Sequence, residues 1–109
     1  MQAILDKLGF SAKYKGYRML TVAIDIAVHN DEAVTKITQM IYPEVAKICG
    51  TNSINVEKDI RKAIEMFWIE GDKTYYSRIA GYKITSKPTN AEFIAAVSCY
   101  IIRKKLHQR

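Results

Sequence analysis

Apolar residues recur three and four positions apart through most of the chain, and the strict alternation of a half-buried strand is nearly absent. Ala3, Ile4 and Leu8, with Lys7 between them, outline a short first helix that Gly9 ends. Ser11 to Gly16 reads as a basic connector carrying Lys13 and Lys15. A second helix is predicted from about Tyr17 to Val28, with Leu20, Ala23, Ile24 and Ala27 on one face. Asn30 or Asp31 caps a predicted third helix that carries Val34, Ile37, Thr38 and Ile41. Pro43 suits the first turn of a short helix, Pro43 to Cys49, because its missing N–H is not needed there. Gly50 tolerates the left-handed geometry that ends such a helix.

Asn52 or Ser53 then caps the longest predicted helix, about Ile54 to Glu70, which Gly71 closes. Asp72 to Ala80 reads as a short helix, and Gly81 to Lys87 as a loop with some extended character. Pro88 interrupts the chain. Thr89 and Glu92 make a Thr-x-x-Glu capping box for a last helix from Asn90 to about Leu106. No internal repeat or low-complexity linker appears. The pattern predicts an all-α fold, a compact single domain of six or seven helices over residues 1–109.

Composition narrows the partners. Hydrophobic residues make up 49% of the 109, enough for a core, and 26% charged residues argue against a disordered chain. The formal net charge is +6. Residues 1–49 carry six basic and five acidic groups, whereas residues 50–109 carry eleven and six, so an anionic partner is expected at the second half. No run approaches the roughly 18 apolar residues of a membrane-crossing helix, and Asp6 and Lys7 break any resemblance of the N-terminus to a signal peptide. Cys49 and Cys99 are too few for a disulfide scaffold and are read as reduced core thiols of a cytoplasmic protein.

The segment Pro43 to Trp68 has the form of a helix-turn-helix at about 43–70. Ala46 is small enough to let two helices approach, Gly50 opens the turn, and Val56 and Ile60 anchor the second helix from below. The turn reads as slightly longer than the tightest versions. At 100° per residue, Val56, Ile60, Ala63, Ile64 and Phe67 fall within an arc of roughly 100°. Asn55, Glu57, Lys58, Arg61, Lys62 and Glu65 fill an opposite arc of roughly 160°. Asn pairs well with adenine, Glu accepts from cytosine, and Lys donates to guanine, so this face has the residue types that read base edges. The first turns of such a helix enter the groove deepest, which favours Asn55, Glu57 and Lys58 as base readers. Ser53, Arg61 and Lys62 would hold phosphates. The same face also fits a solvated surface laced by Glu57–Arg61 and Arg61–Glu65 pairs, and periodicity leaves both readings open.

These residues, taken with others along the chain, resemble the C-terminal DNA-binding (effector) domain of the sporulation master response regulator of endospore-forming bacteria. The resemblance runs through Lys15-Gly16-Tyr17, Tyr42-Pro43, Val45-Ala46-Lys47, Val56-Glu57, Ile60-Arg61, Ala63-Ile64-Glu65, Trp68 and Gly71. It closes with Gly81-Tyr82, Lys87-Pro88-Thr89-Asn90 and Glu92-Phe93-Ile94-Ala95. It implies an all-α domain that reads a short box in double-stranded DNA, often in tandem copies, which leaves room for a homodimer on tandem sites. It also implies control of transcription through contact with RNA polymerase, by the segment 71–82 here. Asn55, Glu57 and Lys58 stand at the family's base-reading positions. The family usually has arginine where this chain has Asn55 and Lys58, and arginine and lysine are not interchangeable at a bidentate guanine contact. The sequence preference is therefore expected to shift or slacken. Ala80 stands where the polymerase-facing segment usually has an aromatic residue. Full-length members also carry a receiver domain, which 109 residues cannot hold as well, so none is expected in this chain.

The remaining polar residues add less. Lys87 precedes the capped last helix, whose N-terminus attracts phosphate, and is a fourth candidate backbone contact. Arg103, Lys104, Lys105 and Arg109 form a basic tail, read first as favourable charge at a helix C-terminus. The spacing of Trp68, Tyr75, Tyr76 and Tyr82 fits core packing better than a stacking platform. His29 and His107 are isolated, so no metal or other cofactor is expected, and no acid–base pair or nucleophile motif suggests an enzyme. The competing reading from another class is a helical protein-interaction module that uses the helix-turn-helix as scaffold.

Overall fold

A computed structural model describes residues 2–107. Helix α1 spans Gln2–Leu8, α2 Lys15–His29, α3 Tyr42–Cys49, α4 Ser53–Glu70, α5 Lys73–Ala80 and α6 Asn90–His107. Helix α2 lies at the centre, against α4 on one side and α6 on the other. Leu20, Ala23, Ile24 and Ala27, the face predicted from spacing, are all buried. Gly16 makes the α2–α4 crossing close: a methyl group there would run into the Asp59 carbonyl and come within 2.7 Å of the Ala63 Cβ. No larger residue fits without parting the two helices.

At the far side of α4 the core is aromatic. Phe10 stacks on Phe67 at 5.0 Å between ring centroids, and Tyr76 stacks on Phe93 at 5.3 Å. Phe67 meets the edges of both Tyr76 and Phe93. Such pairs add about 0.5–1.5 kcal/mol each beyond their buried area. They join α4, α5 and α6 to the segment after α1. Burial pushes the Tyr76 phenol above its ordinary range.

The predicted third helix is not a continuous α-helix. Asp31–Thr35 forms a 3₁₀ turn and Ile37–Ile41 a π turn, separated by Lys36 at φ −131°, ψ 47°. Two causes act here. Val34, Thr35, Ile37 and Thr38 are β-branched and weak helix formers. Pro43 cannot donate to the Gln39 carbonyl and crowds it, so the wider turn, closed from Tyr42 N–H to the Ile37 carbonyl, is taken instead. Ala33 and Ile41 are still buried, so the segment wraps the core without being one rod.

The other departures are smaller. Helix α2 starts at Lys15, two residues before the predicted Tyr17. Helix α4 starts at Ser53, so Ser53 is inside the helix and Asn52 is the cap. Cys99 is exposed and Cys49 half-buried, so neither is a core thiol, and both are free. Tyr82 is exposed, unlike buried Tyr76 and the part-buried Trp68 and Tyr75. The capping box forms as predicted: the Thr89 N–H donates to Glu92 Oε1 at 2.8 Å, and the Glu92 N–H to Thr89 Oγ1 at 3.1 Å. No helix among the described residues is long and apolar enough to cross a membrane.

Candidate nucleic-acid interface

Helices α3 and α4 form the helix-turn-helix. Gly50 ends α3 at φ 71°, a left-handed conformation that a side chain would strain. The N–H groups of Gly50 and Thr51 both bond back to the Ala46 carbonyl. The Asn52 side chain accepts from the Asn55 N–H at 2.9 Å and starts α4. Three residues therefore separate the helices, the tight form of the motif and not the longer one expected. Val45 and Ala46 of α3 meet Val56 and Ile60 of α4 in the buried space beneath the turn.

The exposed face of α4 carries the candidate residues as follows. Asn55 is exposed, and its side-chain N–H donates to Thr51 Oγ1 at 3.1 Å. Lys58 and Lys62 are exposed and have no ion-pair partner among the described residues. Glu57 and Arg61 are not independent, because Arg61 Nη1 donates to Glu57 Oε1 at 2.8 Å. Arg61 also approaches Glu65 at 4.0 Å, and Lys87 Nζ lies 3.5 Å from the same Glu65 carboxylate. The four side chains form one strip of alternating charge across two helix-bearing segments. Exposed pairs of this kind contribute little to stability, about 0–1 kcal/mol each, and rearrange cheaply. Ser53 is half-buried in the first turn of α4, which holds no acidic residue. The positive end of that helix is therefore unneutralised.

Lys87, distant in sequence, reaches this face through Asn90. The Asn90 side-chain amide donates to the Tyr42 hydroxyl at 3.0 Å and to the backbone carbonyl of Glu57 at 3.1 Å. One residue at the start of α6 thus grips both helices of the helix-turn-helix. Burial raises the Tyr42 phenol, partly offset by the hydrogen bond from Asn90. A shallow cleft lies between the two segments, lined by Tyr42, Glu57, Arg61, Lys87, Thr89 and Asn90.

Residues 1–101 match the family model described as sporulation initiation factor Spo0A, C terminal. The chain belongs to this family. The match covers both halves of the candidate interface, the helix-turn-helix and the Lys87–Asn90 corner. The family is one of DNA-binding, transcription-regulating domains of sporulation response regulators, a regulatory class and not a catalytic one.

Two residues, one beside the motif and one within it, escape a reading by helical spacing. Arg18 joins Lys15 along a cleft with Thr51, Asn55 and Asp59, where the start of α2 meets the turn. The usable signal is Gly16, which only makes sense if α2 runs hard against α4. Ile54, the second residue of α4, is 68% exposed. On the helical projection it falls roughly 100° from Asn55 and within the polar arc, a large apolar side chain among groups that want water.

Proposed function

We propose that this domain binds double-stranded DNA sequence-specifically, with α4 in the major groove. Asn55, Glu57 and Lys58 read base edges from the first turns. Ser53, Arg61, Lys62 and Lys87 hold backbone phosphates. The observation that carries this reading is the Asn90 anchor: it sets Lys87 beside the exposed face of α4, so that a groove-inserted helix has a cation on its flank. A helix of about 10–12 Å diameter matches the major groove. The positive end of α4, free of acidic residues, suits a phosphate near Ser53. The Glu57–Arg61 pair opens on binding, Glu57 turning to a base and Arg61 to the backbone. The departure from the family's arginines at Asn55 and Lys58 alters which bases are preferred.

The segment 71–82 is the surface offered to RNA polymerase, with Lys73, Thr74, Arg78 and Tyr82 exposed on it. Two copies of the domain occupy tandem sites as a homodimer. Titration of labelled duplex DNA at two salt concentrations tests the central claim. Affinity should fall steeply with salt, since each neutralised phosphate contributes a slope of about 0.9. Binding that ignores salt, or none below ~100 µM at low salt, would sink it.

A further inference from the structure

We infer that Ile54 is a specificity residue that packs against the C5-methyl group of a thymine in the major groove. This rests on the proposed placement of α4 in the groove. Ile54 is one of five large hydrophobic side chains that the described residues leave exposed, and it is 68% exposed. Its position is what distinguishes it. It follows Ser53 in the first turn of α4 and precedes Asn55. Lys58 lies one turn on, at i+4, and Glu57 at i+3, so Ile54 sits among the very side chains assigned to base reading. An isoleucine there gains nothing from water and belongs neither to the buried core nor to the partly buried side chains packed against it. It is also too small and too closely ringed by Asn55, Glu57 and Lys58 to seed an apolar protein interface, whose core is depleted of charge. In the major groove, by contrast, the one apolar feature at the base edges is the thymine methyl, and apolar side chains are its usual partners. The polar neighbours then meet hydrogen-bonding edges while Ile54 meets a methyl.

The test removes that methyl and nothing else. A duplex recovered from a random DNA pool by the 109-residue chain is remade with each thymine in turn replaced by deoxyuridine, and affinities are read by fluorescence anisotropy. At one thymine the uracil duplex should bind about fourfold more weakly, the worth of one buried methyl at about 0.8 kcal/mol. Ile54→Ser should still bind DNA but show equal affinity for the two duplexes, and Ile54→Val should keep most of the preference. This cycle separates contact with the methyl from any effect of uracil on duplex shape, which Ile54→Ser would leave in place. Specific binding with no thymine position sensitive to uracil overturns the inference. So does an Ile54→Ser variant that discriminates as well as the unaltered chain. Absence of DNA binding by the unaltered chain overturns the groove placement itself, and the inference with it.

Discussion

Helices α4 and α6 have the same length, 18 residues, and both begin with a side-chain cap, yet they use their N-terminal ends in opposite ways. The start of α6 is spent inside the molecule: Asn90 is fastened to Tyr42 and Glu57, Phe93 and Ile94 are buried, and the capping box closes on itself. The start of α4 is left open, with Ile54, Asn55 and Lys58 exposed. Charge does not separate the two. The basic end of α6, at Arg103 to Lys105, lies about 20 Å along its axis from Asn90, and Arg103 is already occupied. It donates to the Ile79 carbonyl at 3.2 Å, one of the acceptors that the last turn of α5 leaves without a helical partner. Arg109, the last member of the basic tail, lies outside the described residues. What marks an interface here is which polar groups are still unspent; each helix carries three lysines and arginines, so a count of them favours neither.

The sharpest way to break that contrast is to damage α6 in its interior. Phe93→Ala removes a ring that touches Phe10, Phe67 and Tyr76 and should lower unfolding free energy by about 3–5 kcal/mol in a urea titration. The same treatment of the open end of α4 should leave the fold intact. Lys58→Ala should change stability by less than about 0.5 kcal/mol, while it costs about 1–3 kcal/mol of binding to the preferred duplex and relaxes the choice of base there. If Lys58→Ala lowers stability by several kcal/mol and leaves binding unchanged, the division between the two helices is wrong.

Asn90→Ala stands between the two cases, because Asn90 belongs to α6 and serves α4. Loss of its two hydrogen bonds should cost about 1–2 kcal/mol of stability and weaken binding to all duplexes as Lys87 loses its place; calorimetry and anisotropy together read both. Lys62→Ala should have a milder effect, equal for every sequence, and flatten the plot of log affinity against log salt by about one unit. Loss on one sequence alone would make Lys62 a base reader. The smallest effect belongs to Glu65→Gln, which loosens Arg61 and Lys87 together. It should shift thermal stability by a few tenths of a kcal/mol at most and leave base preference unchanged.

Much of this was legible from spacing alone. The buried faces of α2 and α4, the stop at Gly50 and the Thr89–Glu92 box are local: each depends on residues within a turn or two, whose geometry the backbone dictates. The break at Lys36 was not legible, because a 3.6-residue period survives in the side chains while Pro43, further along, spoils the hydrogen bonds beneath them. Ile54 is hidden from spacing for a related reason. Periodicity sorts residues into faces, and an apolar residue on the polar face reads as noise until its exposure is known.

The sequence therefore suffices for the six α-helices, the motif and the family, since these depend on the order of residues along the chain. Only folding decides that Asn90, 33 positions from Glu57, completes the same face, and that Arg103 is lost to it. Those facts depend on which unpaired donor meets which unpaired acceptor once the helices have packed, and no period along the chain records such meetings.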